Sequence, residues 1–125
     1  MSSKAALAKA LAQRLSGSLL PGDMPFAKGG LERAAEFVVA AAAEREAGTT
    51  SIVIESISGA AGERFMRLAL INDDMPFLVD SIAATIAAHG LAIDRLIHPV
   101  LAVRRDGKGK LSDFVPGEAA GEKRE

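Results

Sequence analysis

Six consecutive residues, Asn72, Asp73, Asp74, Met75, Pro76 and Phe77, open the most informative stretch of this chain of 125 residues. They follow an apolar run, residues 65–71, and lead into a helix-like pattern. A strand-to-helix junction presents unpaired backbone N–H groups at the helix start, where an anion or a partner's carbonyl can be held. Asp73, Asp74 and Asp80 also offer carboxylates for a divalent ion, but their spacing does not match a calcium loop. Helix capping by Asp73 or Asp74, worth about 0.5–2 kcal/mol, accounts for the first two, and no metal is expected. The junction reads as a sensor or an assembly hinge rather than a reaction centre.

Other reactive side chains are few. His89 and His98 are the two histidines. His98 precedes Pro99 in a sheet context; both histidines read first as structural residues, with an effector contact at His98 as the alternative. Neither histidine has the adjacent Ser, Cys or oriented acid that nucleophilic catalysis requires. Arg95, Arg104, Arg105, Lys108 and Lys110 face only Asp94 and Asp106 in sequence. A basic strand-turn can touch phosphates, but this one lacks the aromatic residues that stack exposed bases. Charge guarding of an edge strand is the better reading. Neither a phosphate loop nor a Gly-x-Gly-x-x-Gly turn is present, so no NAD site is expected here.

The elements that must position these residues follow from pattern. Leu7, Leu11 and Leu15 stripe a helix over residues 3–15, with Ser2 or Ser3 as its cap. Gly17, Pro21, Gly22 and Pro25 break the chain. Leu31, Ala35, Val38 and Ala42 line a second helix over 30–46, stopped by Gly48. Residues 50–58 and 64–71 read as two strands of an antiparallel hairpin. The second strand is apolar on nearly both faces, with only Arg67 polar on its second face, as for a central strand or one covered at an interface. A third helix starts at the junction, with Pro76 in its first turn, carries Leu78, Ile82 and Ile86, and ends at Gly90 with His89 in its last turn. Residues 91–104 read as a long strand interrupted near Pro99, which cannot donate to a sheet. Asp106-Gly107 marks a turn before a short strand at 111–115. Residues 116–125 have the composition of a disordered tail or linker. The order is α-α-β-β-α-β, an α+β arrangement with one sheet face short of cover.

Bulk composition narrows the classes further. Net charge is −1, which gives no overall attraction to nucleic acid or anionic membrane. Cysteine is absent, which excludes disulfides and thiolate chemistry and fits a cytoplasmic protein. No apolar run approaches the roughly 20 residues of a membrane span, and the N-terminus reads as an amphipathic helix rather than a signal peptide. The apolar share is 49%, yet 24 residues are alanine and five are Phe, with no Trp or Tyr. Such a core is thin, and association with another copy or with further sequence would compensate.

The run LALINDDMPFLVDSI, followed by HGLAIDRLIHPVLAVRRDGKGKL, resembles the N-terminal region of the large bacterial NAD-dependent glutamate dehydrogenases. The resemblance covers about residues 52–111. It implies an N-terminal piece of such an enzyme, with an ACT-like (ferredoxin-like, partial) antiparallel sheet carrying helices on one face, preceded by two N-terminal helices. The implied division is a helical segment at 1–48, a partial ACT-like α+β domain at 49–115, and a tail or linker at 116–125. The ACT pattern of Asp, any residue, Pro, Gly and two Leu maps onto Asp74, Met75, Pro76, Phe77, Leu78 and Val79. Phe77 stands where that pattern has glycine, so its side chain either fills an effector pocket or joins an interface. The full βαββαβ order is also incomplete here, which leaves a sheet edge expected to pair with another copy.

The expected role is therefore regulation and assembly, non-catalytic in itself. The parent reaction that the resemblance implies is conversion of glutamate to 2-oxoglutarate and ammonia with reduction of NAD. Expected partners are further copies of the chain, an amino-acid effector at residues 72–77 with contacts from Arg95 and His98, and the parent's catalytic region. No cofactor, nucleic acid or membrane partner is expected for this portion. Two alternatives are a ligand-free homo-oligomerisation module and a small RNA-binding α+β domain.

Overall fold

The computed structural model describes residues 3–17, 29–46, 48–58, 62, 64–93, 95–115 and 123–125. Helix α1 (Lys4–Gly17) and helix α2 (Gly30–Ala42) pack on each other, and strands β1 (Ser51–Ser58) and β2 (Arg64–Ile71) form an antiparallel ribbon. Helix α3 (Leu78–Ala88) follows, then strands β3 (Ala102–Arg105), β4 (Leu111–Val115) and β5 (Lys123–Arg124). The second sheet has the order β4-β3-β5, antiparallel throughout. This is an α+β fold with two leading helices, a partial ACT-like arrangement.

The leucine stripe of α1 behaves as its spacing requires. Leu7, Leu11 and Leu15 are all buried, and Ser3 Oγ accepts a hydrogen bond from the Ala6 N–H at 3.1 Å as the helix cap. On α2 the buried face is centred on Ala34, Ala35, Val39 and Ala42, with Leu31 and Val38 packed at its margin. Leu101, Val103 and Leu111 close this core from the second sheet. The helices are thus built into the core, with alanines allowing close approach of α1 and α2.

Several elements differ from expectation. Helix α2 ends at Ala42 rather than Glu46, and the chain beyond it turns to run beside residues 109–111: Arg45 donates its N–H to Gly109 O, and Leu111 donates to Ala43 O. The expected strand over 91–104 is reduced to β3. Pro99 removes one donor, and Leu101 is tied to a neighbour through two backbone bonds with Glu125 of 2.8 and 2.9 Å. Residues 123–125, read as part of a tail, supply the third strand of that sheet. Among the described residues strand β2 pairs with β1 alone, so it is not a central strand; cover at an interface is the branch of the expectation that stands.

Face alternation along the ribbon explains why it is thinly buried. Ala69, Arg67 and Ile71 lie on the side that meets α2, where Arg67 bonds Glu55 at 2.8 Å and stacks over the Phe37 ring at 5.9 Å. On the opposite side Ile52, Ile54, Met66 and Leu68 are all exposed. The apolar stripe of α3, Leu78, Ile82 and Ile86, is half-buried, and no residue of that helix is fully buried.

Candidate functional site

The β2-to-α3 junction is held by an ionic quartet in which Arg45, Arg105 and Glu125 are buried and Asp73 is partly exposed. Arg45, which leaves α2 with its side chain only 1% exposed, directs Nη2 to Asp73 Oδ1 and to Glu125 Oε1, each at 2.5 Å. Arg105, the last residue of β3, binds the same Glu125 through Nη2 at 2.9 Å and Nε at 3.0 Å. Two cations face two anions, so the cluster is electrically balanced. The Nη1 groups go to backbone: Arg45 Nη1 to Thr49 O at 2.5 Å, and Arg105 Nη1 to Ala42 O at 2.7 Å and Gly109 O at 2.8 Å. The bond to Ala42 O places a cation on the carbonyl end of α2, which suits the helix dipole. Arg45 Nε is buried without a hydrogen-bond partner among the described residues.

The electrostatics of the quartet follow from this geometry. Burial alone would push the Arg45 pKa down, but hydrogen bonds and charge from Glu125 and Asp73 outweigh it and hold the guanidinium above its ordinary range. Burial would likewise push Glu125 up, yet bonds from Arg105 and Arg45 prevail and keep it below the ordinary glutamate range. Both groups stay charged at neutral pH. Such a cluster fixes position and has no free base or nucleophile to offer.

Each residue of the junction now has a place. Asn72 is half-buried; its Oδ1 accepts from Thr50 Oγ1 at 2.8 Å, and its Nδ2 donates to Asp73 O and Met75 Sδ at 3.3 Å. Asp73 joins the quartet. Asp74 has an exposed side chain, and its backbone N–H donates to Arg124 O at 3.1 Å. Met75 and Pro76 are exposed. The expected capping by Asp73 or Asp74 does not occur. Helix α3 begins at Leu78 behind Phe77, without a side-chain cap, and Pro76 lies in the turn before it. Asp73 is drawn instead to Arg45, where a charged bond in a partly dry setting is stronger than a cap.

Phe77 adopts a left-handed backbone, φ 65°, with its side chain 77% exposed. A residue with a Cβ held there loses roughly 1–2 kcal/mol. Phe77→Gly is therefore expected to raise stability by about 0.5–1 kcal/mol, since the ring has little packing to lose. Urea unfolding of the two chains checks this, and a destabilised variant would show that the ring is held by contacts.

A cavity of about 160 Å³ lies beneath the junction, walled by β2, residues 97–101 and the core. Asn72, Asp74, His98 and Glu125 stand on its boundary, and its apolar wall includes Leu70, Ile97 and Leu101. The structure thus brings His98 and the junction to one cavity, while Arg95 lies outside those walls. A larger groove of about 860 Å³ runs between α1 and α2, but its charged residues, Lys4, Lys9, Glu32 and Glu36, are solvent-exposed and the rest of its lining includes Ala5, Ala8, Ala12 and Ala40. His89 sits at the end of α3 with Nδ1 2.9 Å from Thr85 O. The basic turn is also partly consumed: Arg105 points inward, while Asp106 Oδ1 accepts the Lys108 and Lys110 N–H groups at 2.8 and 3.0 Å. These two bonds hold Asp106 below its ordinary range.

Sequence reasoning missed Arg45, Arg105 and Glu125 as members of the site. Arg45 falls in a charged stretch after α2 and Glu125 in another at the far end, with no spacing that links them. Among the described residues, no group of three or more His, Cys, Asp or Glu is placed to hold a metal, and no helix is long and apolar enough to cross a membrane.

Comparison with known proteins bears on this site. The family described as "Glutamate dehydrogenase, ACT1 domain" matches residues 33–125, which takes in the junction and the whole quartet. An NAD-specific glutamate dehydrogenase of Pseudomonas aeruginosa is 38% identical over 52 residues, 42% of this chain and 3% of that relative's length. No solved structure matches.

Proposed function

Because the chain belongs to the glutamate dehydrogenase ACT1-domain family, we propose that it is a regulatory and assembly portion of an NAD-dependent glutamate dehydrogenase. Under this reading the parent oxidatively deaminates glutamate to 2-oxoglutarate and ammonia with reduction of NAD, in the cytoplasm. The portion described here is not the catalytic one. Its β2-to-α3 turn does not fit a dinucleotide, because Phe77 stands at the left-handed position where close approach to a pyrophosphate needs glycine. NAD belongs with the catalytic region.

The observation that carries the regulatory reading is the link from Asp73 through Arg45 and Glu125 to Arg105. A ligand or subunit that moves residues 72–77 changes the load on α2's end and on β3 together. The effector class is a free amino acid, its polar end at Asn72, Asp74 and His98 and a small apolar side chain toward the cavity. Allostery also requires two states with different affinity. Calorimetry of the full enzyme with free amino acids tests this: saturable binding weakened at least about tenfold by Asn72→Ala and Asp74→Ala is expected, about 1.4 kcal/mol each. Absent or unaltered binding removes the ligand half.

A ligand-free homo-oligomerisation module is the second reading, favoured by the 77% exposure of Phe77 beside Met75 at 50%. Sedimentation of the wild type and Phe77→Gly separates the two. Loss of assembly with no effect on ligand binding supports the second reading, and a compact monomer at micromolar concentration sinks it.

A further inference from the structure

We propose that the groove between α1 and α2 is a contact surface for the same groove of a second copy. Each copy lays its α1 against the other's α2, and the four helices form a bundle. The inference rests on the assembly half of the reading above and gives it a surface away from the β2-to-α3 junction.

The shape of the groove suits helices. Its lining on α1 runs from Lys4 to Ser16, about 18 Å of helix at 1.5 Å per residue. Spread over that length, a volume of about 860 Å³ leaves a trough roughly 7 Å across, the width of a row of side chains. Val39 is the one buried residue of the lining, and the others are exposed or half-buried. A small-molecule site would instead bury most of its ligand. The leucine stripe of α1 is already spent on the chain's own core, so the groove presents a second face of that helix. Its floor includes Ala5, Ala8, Ala12 and Ala40, whose small side chains let another helix approach closely.

Charge selects the occupant. The α1 rim carries Lys4 and Lys9, and the α2 rim carries Glu32 and Glu36. Among the described residues none of these four makes an ion pair within the chain. The two lysines are separated by about 7.5 Å along α1 and the two glutamates by about 6 Å along α2, so both pairs can engage together. A two-fold axis repeats each contact, which makes the surface complementary to itself. Packing α1 on α1 would set lysine against lysine, so charge admits only the α1-to-α2 pairing. Lys4 adds a local reason. It opens α1 at the positive end of the helix dipole, and no acidic residue lies in that first turn. A glutamate from the second copy supplies the missing negative charge.

Sedimentation of the chain at micromolar concentration tests the surface. The wild type is expected to dimerise. Lys4→Glu with Lys9→Glu, and separately Glu32→Lys with Glu36→Lys, are each expected to weaken the dimer at least about tenfold. An equal mixture of the two variants is expected to recover to within about threefold of wild type, as heterodimers seen by native mass spectrometry. Ala5→Gln with Ala40→Gln changes no charge and alters two exposed positions. It is expected to weaken the dimer at least about tenfold while leaving the circular dichroism of the chain unchanged. Recovery absent from the mixture overturns the α1-to-α2 pairing. Dimers that survive in all these variants but are lost in Phe77→Gly overturn the groove and leave the assembly reading in place. A monomeric wild type overturns both.

Discussion

Glu125→Gln is expected to lower the stability of the folded chain by about 3–5 kcal/mol, because it removes the shared counter-charge of two arginines. Arg45 and Glu125 have side chains only 1% and 4% exposed, so neither can turn to water when its partner is lost. Asp73 remains on Arg45, but it is 44% exposed and its attraction is screened. The melting temperature should fall by about 10 °C or more. Adding Arg45→Met should recover part of the loss, since an apolar residue leaves no stranded charge, and the double-mutant cycle should give a coupling of about 0.5–3 kcal/mol. A shift below about 2 °C for Glu125→Gln alone would show that the quartet does not hold the sheet.

Acid dependence gives the same pair a second signature. The folded-state pKa of Glu125 is depressed, with its two arginines overcoming burial. A depressed carboxylate contributes its stabilisation fully above the ordinary glutamate pKa of about 4.3 and loses it as pH falls through the lower folded value. The wild type should therefore lose stability on acidification below that range more steeply than Glu125→Gln does. Parallel acid profiles for the two chains would contradict the assignment.

Local pattern was enough for most elements and for almost none of the site's wiring. The Leu7, Leu11 and Leu15 stripe, the β-branched run of β1 and the Asp-Gly turn at 106–107 each declare themselves within a few residues, because helix, strand and turn propensities act over that distance. The resemblance carried by residues 52–111 located the family, and the family match extends to residues 33–125. Asp73 was misread as a cap for a physical reason: a capping aspartate and an ion-pairing one are identical in sequence. The partner that decides between them, Arg45, lies 28 residues away. The bond from Arg45 to Glu125 spans 80 residues. Pattern within one element cannot see such a pair, and the strand expected over 91–104 failed on the same ground. Its pairing depends on residues 123–125, whose charged composition reads as linker until Leu101 is set beside Glu125.

Gly109→Ala is expected to cost about 2–5 kcal/mol, the sum of backbone strain and overpacking. Gly109 has φ +83°, a conformation that L side chains rarely adopt, and a Cβ there would sit 2.4 Å from Arg45 O and 2.9 Å from its carbonyl carbon. Those atoms are backbone and cannot swing aside. Relief requires the β3–β4 turn to withdraw from the end of α2, which lengthens the 3.0 Å bond from Arg45 N to Gly109 O and the 2.8 Å bond from Arg105 Nη1 to the same oxygen. Both arginines that hold Glu125 are therefore displaced by one methyl group. Gly107→Ala is the control, since nothing lies within 4 Å of its Cβ position. Thermal melts should separate the two variants by about 10 °C. Combining Gly109→Ala with Glu125→Gln should cost less than the two losses added together, because both act on the same cluster. Equal melts for the two alanine variants would show that the close approach of Gly109 to Arg45 is not required by the fold.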